Sequence, residues 1–148
     1  PFIRDADVKG KNAYANLEMQ RFIAKHGLHR YKMNPKFPFN SISLLRMLVS
    51  LGSDDQIKLI EMLTPAIWEE GLDVSDATAV AMILTKAGLD AEFLIAKAQD
   101  PAIKQAVINN TEKAVERGVF GIPTFFIGEE MFFGKERLEQ IEEMLEKS

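Results

Sequence analysis

The chain has 148 residues, 47% apolar and 27% charged, which is the balance of one folded domain, or of one small domain with an insertion, and not of a disordered chain. Eighteen basic against twenty-two acidic side chains leave a net charge of -4, so no global positive field exists to collect nucleic acid. There is no cysteine, which excludes a disulfide, a thiolate nucleophile and a thiolate metal site within this chain.

Residues 1–12 read as an extended lead-in, with Phe2, Ile3 and Val8 scattered among charges. From Ala13 to His26, the apolar Ala15, Met19, Phe22 and Ile23 recur at helical spacing and Gly27 supplies the stop. His26 and His29 are the only histidines, too few for a closed metal site. Pro35 and Pro38 make 31–39 a loop. Asn40 or Ser41 then caps a helix to about Leu51, and Ser53-Asp54-Asp55 opens another that is expected to kink near Pro65. Ser75 or Asp76 caps a helix with Val80, Ile83, Leu84 and Ala87 on one face, and Asp90 caps a short one to about Ala98. Asp100-Pro101 pairs a cap with proline at the first helical position, opening a helix whose stripe of Ile103, Ala106, Val107, Asn110 and Ala114 runs up to Gly118. The polar Asn110 on that stripe is expected to fasten a loop by a hydrogen bond.

After Gly118 the pattern changes. Thr124–Ile127 and Met131–Phe133 are aromatic or β-branched runs around Gly128-Glu129-Glu130, the pattern of a hairpin. Gly134 leads into an amphipathic helix with Leu138, Ile141, Met144 and Leu145 on one face and glutamates on the other. Trp68, Phe125, Phe126, Phe132 and Phe133 are expected in the core. Two strands rarely sustain a sheet alone, so either Phe2–Val8 supplies a third or an N-terminal portion is absent. No apolar run approaches the ~20 residues that cross a bilayer, and no signal-peptide pattern opens the chain, which points to the cytosol.

The segment Glu116 to Leu138, with Gly121-Ile122-Pro123-Thr124 at its centre and Gly134 at the helix start, resembles the C-terminal signature of the 2-hydroxychromene-2-carboxylate isomerases. These stand beside kappa-class glutathione transferases in the DsbA-like branch of the thioredoxin superfamily. The resemblance extends through Ala66–Gly71, Lys86–Asp90, and Lys11, Tyr14, Glu18, Arg21 and Gly27, so it covers most of the chain. It implies an α/β, thioredoxin-like fold with a large all-helical insertion. In that reading 13–117 is the insertion, 118–148 is the C-terminal thioredoxin-like half, and the N-terminal strand-helix portion is absent from this chain.

The resemblance further implies a cis bond between Ile122 and Pro123 and glutathione as the cofactor. The Ile122 main chain would pair with the cysteinyl unit, amides near Lys135, Glu136 and Arg137 would take the γ-glutamyl carboxylate, and Glu136, where the family commonly has aspartate, would take the ammonium. Lys11 would meet the glycyl carboxylate. The family's thiol-activating serine would precede Pro1, so no catalytic residue is identified in this chain. The implied reaction is glutathione-dependent cis-trans isomerisation of a small aromatic 2-oxo acid, with a homodimer left open. A kappa-class-like transferase and a non-catalytic thiol-peptide or protein-binding module are the alternatives. Disulfide oxidoreduction of the DsbA type would need a cysteine that is not there.

Overall fold

The computed structural model describes residues 10–146, and the strand considered over Phe2–Val8 lies outside them. The chain divides into two compact units, Pro1–Gln99 and Asp100–Ser148. The division falls earlier than Gly118, so the helix opened by Pro101 groups with the hairpin and not with the helices before it.

The first unit contains α1 (Lys11–His26), α2 (Ile42–Val49), α3 (Ser53–Trp68), α4 (Ala77–Lys86) and α5 (Ala91–Lys97). Helix α1 starts two residues before the expected Ala13 and ends where Gly27 turns left-handed at φ 63. The Asn40 side chain accepts from the Ile42 amide at 3.0 Å, opening α2. Helix α3 runs through Pro65 as one element to Trp68, because the donor lost at proline costs one helical bond while the apolar face on either side stays buried. The Asp76 carboxylate accepts from Thr78 and Ala79 at the head of α4, and Asp90 accepts from Phe93 at the head of α5. One core results: Leu44 and Met47 of α2, Leu59, Leu63 and Ile67 of α3, Val80 and Leu84 of α4, Leu94 of α5, and Ala98. Removing these side chains from water supplies the main drive for the unit.

A buried polar residue fastens the proline loop to this core. Asn34 is only 2% exposed; its amide donates to the carbonyls of Ile67 and Leu72, each at 2.9 Å, and its side-chain oxygen accepts from the Lys36 amide at 2.9 Å. Tyr31, Phe37 and Phe39 gather on Trp68 with centroids 6.1, 6.0 and 5.9 Å away.

The second unit contains α6 (Pro101–Glu116), β1 (Thr124–Ile127), β2 (Glu130–Phe133), a single 3-10 turn (Lys135–Arg137) and α7 (Leu138–Glu146). Asp100 caps α6 through the Ala102 amide at 2.8 Å, with Pro101 at the first position. Asn110 is exposed on α6. The strands pair antiparallel with Thr124 opposite Phe133 and Ile127 opposite Glu130, leaving a two-residue turn at Gly128-Glu129. Gly128 takes φ 58 there, a conformation that a side chain would oppose. The expected all-core set of phenylalanines is corrected by the strand alternation: Phe132 is buried, Phe125 and Phe126 are half-buried, and Phe133 is exposed. On α7 Ile141 is the buried residue, while Leu138 and Leu145 flank it exposed. Among the described residues no helix is long and apolar enough to cross a membrane.

Candidate functional site

Three short segments of the second unit converge: the connection 117–123 after α6, the hairpin, and the turn at Lys135–Arg137. The Ile122–Pro123 peptide bond is cis, as is Phe37–Pro38 in the first unit. The Pro123 carbonyl accepts from the Gly134 amide at 2.9 Å, which ties the head of β1 to the residue that opens the 3-10 turn. Thr124 closes the approach from the other side, its hydroxyl donating to the Gly121 carbonyl at 2.7 Å.

Ile122 is held between these anchors yet stands clear of the unit, 89% exposed. Among the described residues its amide and carbonyl make no hydrogen bond. Exposed main-chain groups at a strand head are the usual means of receiving an extended peptide. The apolar surface around them comes from Phe120, 72% exposed, whose ring lies 4.6 Å from that of Phe133. Gly121 permits this packing, since a Cβ there would sit 2.8 Å from the Phe133 ring. Arg117 lies over the Phe126 ring, its guanidinium 3.5 Å from the centroid, a cation-π contact that fixes the chain as it leaves α6.

The charged end of the site is built differently from the sequence expectation. Gly134 takes φ 95 and ψ 150, which turns the chain from β2 into the Lys135–Arg137 turn. The Arg137 amide donates back to the Gly134 carbonyl at 3.2 Å, so it is engaged within the turn. The Glu136 carboxylate is paired with the Lys135 ammonium. That hydrogen bond, with Glu136's own amide and the nearby Lys135 and Arg137 charges, holds the Glu136 carboxyl below its ordinary value, so it is ionised at neutral pH. An exposed carboxylate beside two cations can exchange one ammonium partner for another.

Ile122, Pro123, Lys135, Glu136 and Arg137 therefore lie in one unit, linked by the Pro123–Gly134 bond. Lys11 opens α1 in the first unit. Phe120 and Arg117 were not singled out from sequence. An apolar Phe120 between Gly118 and Gly121 in a connection, and not in a strand, was the available signal. In the first unit, the His26 ring rests 4.3 Å from that of Phe22 on α1.

A DSBA-like thioredoxin domain model matches residues 3–146. The chain is 29% identical over 140 residues to a 2-hydroxychromene-2-carboxylate isomerase of Pseudomonas putida, covering 92% of this chain and 66% of that protein. It is 27% identical over 139 residues to the enzyme of the same name from Pseudomonas sp. (strain C18), covering 92% of this chain and 63% of that protein. The chain thus spans a little under two thirds of the length of these relatives. Its structure superposes on that of a selenomethionine 2-hydroxychromene-2-carboxylate isomerase with a TM-score of 0.83 at 26% identity, over 97% of this chain and 70% of the other. With the model matching from before α1 to the end of α7, and with the hairpin and final helix folded as above, the chain belongs to the DSBA-like thioredoxin domain family.

Proposed function

We propose that this chain is the thiol-holding and substrate-enclosing part of a glutathione-dependent cis-trans isomerase of the 2-hydroxychromene-2-carboxylate type, acting on a small aromatic 2-oxo acid. The observation that carries the reading is the main chain of Ile122, exposed and unpaired among the described residues, inside a region similar, over 92% of the chain, to enzymes of that name. Glutathione when bound would supply the thiolate that adds to the unsaturated carbon, so that rotation occurs about a single bond before the thiolate leaves.

The residues present fit the tripeptide. The Ile122 amide and carbonyl can pair with a cysteinyl main chain, and Phe120 and Phe133 give that pairing an apolar flank that excludes water. Glu136 can exchange Lys135 for the γ-glutamyl ammonium, which releases the Lys135 ammonium toward the adjacent carboxylate. The chain's contribution is thus to fix the thiol and to offer charge, not to react itself. The proposed setting is the cytosol, where glutathione is kept reduced.

Titration calorimetry with glutathione tests the reading. Glu136→Gln is expected to weaken glutathione about fivefold, the size of an exposed ion pair, and to leave an analogue without the γ-glutamyl amine unaffected. Equal losses for the two ligands remove the ammonium contact, and absence of any glutathione binding by the wild-type chain defeats the reading as a whole. With substrate supplied, a geometric isomer free of adduct supports isomerisation, whereas a stable glutathione adduct replaces it with transfer.

A further inference from the structure

The first unit contains a cleft that neither its core packing nor the thiol site uses. Its volume is 510 Å³, within the ~300–1,000 Å³ of small-molecule sites. Met19 of α1, Leu28 and Tyr31 of the connection after it, and Thr64, Pro65 and Trp68 of α3 form most of its wall. The Tyr31 and Trp68 rings are within 24° of parallel at 6.1 Å, and Phe37 and Phe39 pack on the same indole at 6.0 and 5.9 Å. Three rings thus restrict the rotation of Trp68, so the indole cannot swing freely to fill the space. Flat walls held this way favour a flat occupant, because an offset-stacked ring gains dispersion and quadrupole energy that a branched aliphatic does not.

The charges of the cleft decide what kind of ring. Gly27, His29, Arg30 and Glu69 complete the lining, and Arg30 and Glu69 are ion-paired, Nε to carboxylate at 3.3 Å. The two charges offset one another, leaving His29 as the other titratable group of the wall, and a charged ligand would lose hydration against walls that are mostly apolar.

We propose that this cleft binds a flat, uncharged aromatic molecule of one or two rings. The proposal makes no use of glutathione, so its failure leaves the thiol site untouched. Trp68 is the only tryptophan of the chain and stands in the wall, so its emission reports occupancy directly.

Nitrobenzene, a flat quencher, is titrated against the protein with emission intensity and lifetime recorded together, and nitrobenzoate serves as its charged counterpart. Saturable quenching at unchanged lifetime is expected for nitrobenzene, with nitrobenzoate binding no tighter. Thr64→Arg, an exposed position one helical turn before Trp68, lays a long side chain across the cleft and is expected to weaken nitrobenzene tenfold or more. If circular dichroism shows that variant unfolded, Met19→Gln, a lining residue contributed by α1, takes its place, with at least threefold weakening expected. Purely collisional quenching, in which lifetime falls in step with intensity, overturns the proposal. So does nitrobenzoate binding tenfold tighter than nitrobenzene, or unchanged affinity in the folded cleft variant.

Discussion

Replacing Asn34 with leucine keeps the branching of the side chain, enlarges it somewhat, and removes every hydrogen bond it makes. The donors to the Ile67 and Leu72 carbonyls disappear, and a residue that is 2% exposed leaves no room for water to replace them. Each carbonyl left without a donor costs about 1–3 kcal/mol, which puts the loss for the pair at ~4 kcal/mol. The Lys36 amide also loses its acceptor, but Lys36 is exposed and water can serve it. Asn34→Asp separates the terms, since it keeps an acceptor for Lys36 and turns a carboxylate toward two carbonyl oxygens. Its folded-state pKa would then lie above the unfolded value of about 3.9, so whatever stability it retains is present below that pH and is lost as pH rises through the folded pKa. Urea unfolding followed by Trp68 emission is the assay, because Trp68 packs on Tyr31 in the same loop and its carbonyl accepts from the Lys32 amide at 2.6 Å. Far-ultraviolet circular dichroism serves as a second probe of whether one transition suffices. A loss below about 1 kcal/mol for Asn34→Leu, or an Asn34→Asp variant that gains stability toward neutral pH, would refute the view that this amide clamps the loop.

Three further outcomes are expected. The Asp73 carboxyl is held below its ordinary 3.8, first by the Ser75 hydroxyl, then by the Ser75 amide and by Lys36. Its contribution is therefore present above that value and disappears as pH falls through the lower folded one, so Asp73→Asn should be less stable than wild type at pH 7 and indistinguishable in strong acid, as read by melts across pH. Asp100→Ala leaves the Ala102 amide without its cap and should cost about 1 kcal/mol in urea titration, with Asp100→Ser recovering most of it. Gly134→Ala places a Cβ 2.8 Å from the Glu136 carboxylate at φ 95, and should cost about 1–3 kcal/mol while also disturbing the Lys135–Glu136 pair, which a melt together with glutathione titration would register.

Local signals in the sequence were the ones that survived folding. Asp76, Asp90 and Asp100 each cap the helix they precede, because a cap needs only its own side chain and the next amides. The hairpin was legible from β-branched and aromatic runs around a glycine, although its second strand begins at Glu130, one residue before Met131. Interactions reaching across the chain were not legible. Asn34 finds its carbonyl partners 33 and 38 residues later, and nothing in the step before Pro35 marks an asparagine as buried. Pro65 lies inside one continuous helix, and local rules see its missing donor but not the core residues Leu63, Ala66 and Ile67 that hold both sides of it. Phe132 and Phe133 differ in burial by alternation alone, which a three-residue run is too short to reveal. At the candidate site the glycines at 121 and 134 were visible, but their use, admitting the Phe133 ring and setting Glu136 beside Lys135, depends on contacts made only after the strand pairs.

If the proposed glutathione site is correct, the pairing of Glu136 with Lys135 sets how it tells one thiol from another. A simple thiol offers nothing to displace the lysine, whereas a γ-glutamyl compound brings an ammonium for Glu136 and a carboxylate for the lysine so released. On the proposed reading the exchange would leave each protein group with one charge-assisted contact and give the ligand two, so selectivity would follow from a swap and not from an empty pocket waiting for charge. It also places the cost of discrimination at an exposed turn, where a change of partner needs only rotamer shifts. The Ile122 main chain, clamped through Pro123 and Thr124, need not move at all. On the proposed reading, a main-chain platform beside an exchangeable ion pair would hold a thiol in fixed register while rejecting thiols that lack the second charge.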